Sequence, residues 1–247
     1  MCTVSLISAS AGTYFLGGNR DEQKSRKKGL PPSLKTANDV SYLAPEDTTA
    51  GGTWIAVNEF GLSLAILNRY QGNYADQKLP ENPPSRGFII PSLIHNIDLK
   101  QVEAQINEEF QAVQFRPFTL LAIGNHEIKA LRWDWDGRNF IKSKPATPPK
   151  LWVSSGLYQE KVEESRNRVF QKFLQENSAV SASYLQKLHS STEPEPGHLA
   201  IAMELEHVQT VSCTIVEVGN DEILMHYHDG LPSLNRNWNV VKLKRRN

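Results

Sequence analysis

Cys2 stands directly behind Met1, and the run Asn19-Arg20-Asp21-Glu22 follows a short way along the chain. Removal of Met1 would make Cys2 the first residue and put a thiol nucleophile and an α-amine base on one amino acid. The unperturbed amine titrates near ~7.7–8.0 and the thiol near ~8.5, so a modest environmental shift poises both for proton transfer around neutrality. The chemistry this permits is nucleophilic catalysis with an internal base. The competing reading is structural, with Cys2 as a small hydrophobe in a first strand. The residues brought beside it decide between the two.

Local chain geometry supplies those neighbours. Cys2–Ser8 and Thr13–Asn19 are β-prone runs separated by Ala9-Ser10-Ala11-Gly12, which reads as a hairpin. A two-residue turn at Ala11-Gly12 places Cys2 opposite Asp21, and a turn one residue earlier places it opposite Asn19. Either register carries the Asn-Arg-Asp-Glu run back to the N-terminus. A second hairpin joins Thr53–Val57 to Leu62–Leu67 through the four-residue loop Asn58-Glu59-Phe60-Gly61. That register sets Asn68 opposite Gly51 of the Gly51-Gly52 pair, a spot suited to close approach of backbone or ligand, or to a plain bend at a sheet edge.

Helical spacing marks Leu99–Phe110, Gly156–Asn177 and Ser183–His189; the longest has Val162, Val169, Phe170, Phe173 and Leu174 as its apolar face. Strand-like runs are expected at Phe118–Ile123, Ile128–Trp133, Leu151–Ser154, Leu199–Met203, Ser212–Val218 and Glu222–Tyr227. Tyr14-Phe15-Leu16 and Leu120-Leu121-Ala122-Ile123 are apolar on consecutive residues, so both faces of those strands need cover. Helices grouped between blocks of hairpins then imply α/β layers, with sheets flanked by helices. Proline-containing segments at Gly29–Ser33, Pro80–Ser85, Lys144–Lys150 and Glu193–Gly197 are short and scattered. They read as loops inside one domain, residues 1–247.

The 247 residues carry 27 basic and 27 acidic side chains, which leaves no electrostatic footprint for nucleic acid. The basic run at Lys242–Arg246 reads as a frayed, solvated tail. No stretch reaches the ~20 apolar residues of a membrane span, and two cysteines, Cys2 and Cys213, make no disulfide framework. A cytoplasmic protein of unspecified oligomeric state is expected. His226 and His228 share a strand face without a third ligand at recognisable spacing, so no metal is expected, and no cofactor motif is present. Trp133-Asp134-Trp135-Asp136-Gly137 reads as a strand entering an Asp-Gly turn. Cys213 reads as core. Ser85 reads as a helix cap before Phe88–Ile94, with Arg86 either structural or a contact for an anionic ligand group.

Met1-Cys2, Gly18-Asn19-Arg20-Asp21-Glu22, Gly51-Gly52-Thr53-Trp54, Leu67-Asn68-Arg69-Tyr70 and Ser85-Arg86-Gly87, in this order, resemble the NRDE family typified by transport and Golgi organisation protein 2. Met1-Cys2-Thr3, Asp21 and Asn58-Glu59-Phe60-Gly61-Leu62…Leu67-Asn68 are also similar to cysteine N-terminal-nucleophile hydrolases of the choloylglycine hydrolase and penicillin V acylase type. The resemblance implies a four-layer αββα sandwich and hydrolysis of a linear amide. It implies Cys2 as nucleophile, its freed α-amine as base, Asp21 as the group orienting that amine, and Asn68 as an oxyanion donor. Arg20 would then be the cation favouring the thiolate. Asn19, Trp54, Arg86, Ser154 and Ser155 are the implied substrate-binding candidates. Where the hydrolase pattern has an arginine, this chain has Gly18. Ser154 and Ser155 fall near its second asparagine, and Arg166 is the candidate for its late arginine. The implied partner is a small-molecule amide. The NRDE resemblance alternatively implies a non-catalytic carrier of a haem or lipid-like ligand.

Overall fold

Strands buried on both faces need a layer on each side, and the chain supplies them. The computed structural model describes residues 2–10, 12–70, 82–109, 115–124, 128–176, 180–195, 197–232 and 237–246. In chain order the elements are β1 (Cys2–Ser10), β2 (Thr13–Gln23), β3 (Leu30–Ala37), β4 (Val40–Glu46), β5 (Ile55–Asn58) and β6 (Ser63–Asn68). A 3-10 turn (Arg86–Phe88), α1 (Ile89–Leu93), α2 (Leu99–Glu109), β7 (Phe118–Gly124), β8 (Lys129–Trp135), β9 (Phe140–Lys142) and β10 (Lys150–Ser154) follow. The chain continues with α3 (Gln159–Glu176), α4 (Ala182–His189), β11 (Val208–Val218), β12 (Glu222–Asp229) and β13 (Asn239–Lys244). One sheet runs β10-β1-β2-β11-β12-β13 and the other β3-β4-β5-β6-β7-β8-β9.

Period-two alternation sorts the side chains into layers. Leu6, Leu16 and Val216 of the first sheet meet Leu43, Val57 and Leu121 of the second, forming the central core. Their sequence neighbours Ile7, Phe15 and Ile215 point the other way, onto Phe170 of α3 and Leu185 and Leu188 of α4. On the far side, Ala56, Leu64 and Leu120 pack against Ile90 and Leu93 of α1 and Val102 and Ile106 of α2. The result is the four-layer αββα sandwich.

The first hairpin has a register between the two expected ones. Ser10 pairs with Thr13, but the ladder then shifts, so Ser8 faces Tyr14 and Cys2 faces Arg20. Ala9 is the additional residue of a β-bulge, which moves the register by one. Ala11 and Met1 lie outside the described residues, as do Phe110, Asn177, Pro80 and Glu81.

The second hairpin closes one residue tighter than expected. Asn58 pairs with Leu62, its Oδ1 accepting from the Phe60 and Leu62 N–H groups at 3.0 Å each. Gly61 adopts φ +76°, a value suited to glycine. The Ile55↔Ala65 ladder starts after Thr53 and Trp54, so Asn68 lies opposite Phe118 of β7 rather than Gly51. The close approach at the glycine pair is real, and its partner is backbone. The Thr53 N–H donates to the Gly87 carbonyl at 3.0 Å, and a Cβ on Gly52 would lie 2.4 Å from the Gly87 carbonyl carbon. Gly52→Ala is expected to destabilise by about 1–3 kcal/mol in urea unfolding, because neither backbone can yield.

Three other expectations give way to tertiary context. Gly29–Ser33 is not simply a loop: Leu30 opens β3, an edge strand where Pro31 and Pro32 coincide with a break in register between Leu30 and Ser33. Leu199–Met203 is irregular rather than a strand, with its buried backbone satisfied from elsewhere. Ala202 N–H donates to Ser191 O at 2.8 Å, and Ile201 O accepts from Asn19 at 2.8 Å. The C-terminal basic run is not frayed. Leu243 is buried in β13, and the Arg245 guanidinium donates to Gly219 O. The Trp133–Gly137 segment does end in a turn, with Asp136 Oδ1 accepting from the Arg138 and Asn139 N–H groups.

Candidate active site

Cys2 opens β1 between Arg20 of β2 and Ser154 of β10, half-buried at the end of the central core. Its thiol is pushed up by burial, and the Asp21 and Glu22 charges add to the rise. Alternation sends the Asp21 carboxylate to the opposite, helix-facing side of the sheet. There Thr210 Oγ1 donates to Asp21 Oδ1 at 2.7 Å, and the Arg166 guanidinium lies 3.5 Å from Oδ2. Burial raises the Asp21 carboxyl, against the pull of Arg166 and Thr210.

The cation beside Asp21 is Arg166. Arg166 is fully buried on the inner stripe of α3 with Val162, Ser165 and Phe170, donating to Thr3 Oγ1 and to His198 O. It also lies within electrostatic reach of Cys2, whose thiolate would hold its charge in place. The resemblance offered Arg166 as the late arginine, and spacing agrees: residues 162, 166 and 170 fall on one helix face, and the middle one is charged. Arg20 shares the face of Cys2 but turns to Asp47 at 2.9 Å and stacks 4.4 Å over the Trp54 ring. Arg26 clasps the same Asp47 at 2.6 Å. No bulge in β2 brings Arg20 to the side of Asp21; the irregularity lies in β11, between Thr210 and Ser212.

Across the central core, β6 brings Asn68 to Ser154. The Ser154 hydroxyl donates to the Asn68 carbonyl, and Asn68 Nδ2 donates to the Tyr70 hydroxyl at 3.0 Å. The structure thus joins Cys2, Ser154, Asn68 and Tyr70 in sequence. Arg86, positioned by the 3-10 turn that Ser85 caps, donates to Pro117 O at 2.9 Å. Its pKa is lowered by burial, with Tyr70 and Cys2 close enough to oppose that shift. Ser155 turns inward, donating to Leu157 O at 2.6 Å. Asn19 is buried on the helix side, its Nδ2 donating to His189 O at 3.0 Å and Ile201 O at 2.8 Å. Trp54 serves the Arg20 stack.

Two recesses meet at Tyr70. An open groove of about 660 Å³ runs past Asp21, Glu22, Arg26, Tyr70 and Leu157. A cleft of about 60 Å³ lies on the other side, lined by Asn68, Arg69, Arg132 and Ser154 among others. The pair His226 and His228 does not converge on a metal position: His226 faces Glu217 at 3.4 Å and His228 Nδ1 donates to Gly230 O at 3.3 Å. Among the described residues, no group of three or more His, Cys, Asp or Glu side chains is placed to hold a metal ion. No helix of the described residues is long and apolar enough to cross a membrane.

The four-layer sandwich is that of the N-terminal-nucleophile hydrolases. The chain is similar to penicillin V acylase from Agrobacterium tumefaciens, with a TM-score of 0.60 at 10% identity over 98% of this chain and 86% of that one. It is similar to the Caenorhabditis elegans ortholog of N-acylethanolamine-hydrolyzing acid amidase, with a TM-score of 0.57 at 14% identity over 95% and 94%. A variant of conjugated bile acid hydrolase from Clostridium perfringens gives 0.57 at 10% identity over 97% and 92%. At these identities the shared property is the fold. No curated protein sequence matches significantly. The model of the Transport and Golgi organisation 2 family matches residues 1–133, and the chain belongs to that family.

Proposed function

We propose that the protein is a cysteine N-terminal-nucleophile amidohydrolase that cleaves a linear amide after Met1 has been removed. The observation that carries this reading is the placement of Cys2 at the start of β1 beside the Asn19–Glu22 run of β2, with Arg166 and Thr210 anchoring the Asp21 carboxylate behind that strand. In the proposed reaction the Cys2 α-amine takes the thiol proton and the sulfur attacks the carbonyl carbon. The carbonyl electron pair moves to oxygen. An amide carries two N–H donors, and Asn68 commits one to Tyr70, leaving the other for that oxyanion. The ammonium then protonates the departing nitrogen as the C–N bond breaks, forming a thioester. Water, losing a proton to the same amine, releases the acid and restores the thiol. Asp21 holds the ammonium. Arg166 balances Asp21, so that the carboxylate does not lock the amine in its charged form.

A second reading, that of a carrier for a haem or lipid-like molecule, is supported by the raised thiol at Cys2 and the half-exposed Tyr70 and Leu157 along the open groove. Intact-mass analysis with an electrophilic lactam probe separates the two. The amidohydrolase lacks Met1 and gains one acyl group at Cys2, and Cys2→Ala abolishes labelling with the melting temperature unchanged. Retained Met1, or labelling that moves to Cys213, sinks the enzyme reading. Ligand binding that survives in Cys2→Ala without any acylation of the wild type supports the carrier.

A further inference from the structure

The segments Gly51-Gly52-Thr53-Trp54 and Ser85-Arg86-Gly87 meet backbone to backbone. The Thr53 N–H donates to Gly87 O at 3.0 Å, and a Cβ on Gly87 would lie 3.2 Å from the Gly52 Cα, so the 3-10 turn is held against the start of β5. Arg86 leaves that turn and crosses the end of β6. Its Nη1 donates at 2.9 Å to Pro117 O, just ahead of β7, and the same carbonyl accepts the Arg69 N–H at 3.2 Å. β6 lies between β5 and β7, so a side chain rooted beside one and bound beside the other passes Asn68, the ladder partner of Phe118. Tyr70, which accepts from the Asn68 carboxamide, and Cys2 are both within electrostatic reach of the guanidinium.

Charge pairing singles Arg86 out. Arg166 is matched by Asp21, and Arg20 and Arg26 share Asp47. Arg86 is half-buried, its guanidinium bonds to one neutral carbonyl, and among the described residues no carboxylate lies within ion-pair distance of it. Glu22 acts on it only at longer range, opposed by Arg116. A partly desolvated cation without a counter-ion is costly in a structural role, but it suits a site where negative charge appears only during reaction.

We propose that Arg86 is a further catalytic residue, a charged donor to the oxyanion beside Asn68. The inference rests on the amidohydrolase reading. As the Cys2 sulfur bonds to the carbonyl carbon, the C=O π pair moves onto oxygen. That pair returns when the C–N bond breaks and the nitrogen departs with the ammonium proton. The negative charge exists only between these events, so the guanidinium attracts the intermediate more strongly than the neutral amide.

The test compares two reactions of Cys2 in the full chain, both followed by intact mass. Acylation by the lactam probe passes through an oxyanion, whereas alkylation by iodoacetamide displaces iodide and forms none. Arg86→Gln keeps an N–H for Pro117 O and is expected to slow acylation about 100-fold while changing alkylation less than about threefold. The loss falls on the maximal acylation rate and not on the probe concentration that gives half of it. Arg86→Lys, with a point charge in place of the fork, should be slowed only about tenfold. A merely structural role would move both reactions together. Acylation of Arg86→Gln at the wild-type rate, or equal slowing of the two reactions, overturns the oxyanion role. Should Arg86→Gln not fold, Arg86→Lys decides: selective slowing of acylation supports the role, and an unchanged ratio of the two rates overturns it. Wild-type alkylation without any lactam acylation discards the hydrolase reading and this role with it; wild-type acylation that Arg86→Gln leaves intact discards the role alone.

Discussion

Arg166→Met is expected to lower the free energy of unfolding by about 3–5 kcal/mol, because it removes one partner of a buried ion pair and leaves the other behind. Asp21 and Arg166 are both closed to solvent, 3.5 Å apart. The Asp21 carboxyl is already raised by burial, and Arg166 is the strongest of the influences holding it down. Without that cation the Asp21 carboxyl rises further, so the pH range in which folding takes up a proton there extends upward beyond that of the wild type. Arg166→Lys keeps the charge but not the fork that reaches Thr3 and the His198 carbonyl, and should lose less stability than Arg166→Met. Replacing both partners, Asp21→Leu with Arg166→Met, should recover much of the loss while ending acylation at Cys2. Urea unfolding of the four proteins, read beside lactam labelling, separates the structural contribution of the pair from its part in chemistry. A loss below about 1 kcal/mol for Arg166→Met would mean that the ion pair does not anchor the site.

The architecture was legible where the pattern was local. Consecutive apolar residues in β2 and β7 called for two covering layers, and both exist because residues such as Phe15 and Leu16 face different ones. The site was legible in its outline too, since any hairpin near Gly12 returns residues 19–22 to Cys2. What the sequence concealed depends on contacts distant along the chain. The bulge at Ala9 leaves no mark in hydrophobic alternation, yet it decides that Arg20, not Asp21, stands opposite Cys2. Arg20 is claimed by Asp47, which lies in the connection between β4 and β5 and has no spacing relation to β2. Arg166 was offered by the resemblance as the late arginine, but its pairing with Asp21 joins two elements distant along the chain. β3 hides behind prolines that an edge strand tolerates, and the buried run at residues 199–203 imitates a strand because its backbone partners, Asn19 and Ser191, come from other elements.

The last expectation concerns the helix side of the same strands, where His189 stands in full burial. Asn19 Nδ2 donates to two carbonyls, which turns Asn19 Oδ1 toward the ring at 2.9 Å and makes His189 Nδ1 the protonated nitrogen. His189 Nε2 then accepts from Ser5 Oγ at 2.7 Å. The ring has no room to turn: a Cβ on Gly17 would lie 2.2 Å from Nε2. Burial, reinforced by the Arg166 charge, holds the folded pKa down at about 3, against about 6.5 in an unfolded chain. Below pH ~6.5 the unfolded state binds a proton that the folded state refuses, so stability falls with acidification, by up to about 1.4 kcal/mol per pH unit until the folded pKa is reached. Asp21 acts in the opposite sense. Its raised carboxyl pKa contributes stability present at low pH and lost as pH rises through the folded value, so the net profile of the wild type mixes both. The difference between wild type and His189→Gln isolates the histidine, since Asp21 is common to the two. That difference should slope by one proton between pH 6 and 4 in urea unfolding, the wild type losing stability relative to the glutamine variant as pH falls. A flat difference would mean that the ring takes its proton inside the fold, and the hydrogen-bond assignment through Asn19 and Ser5 would have to be reversed.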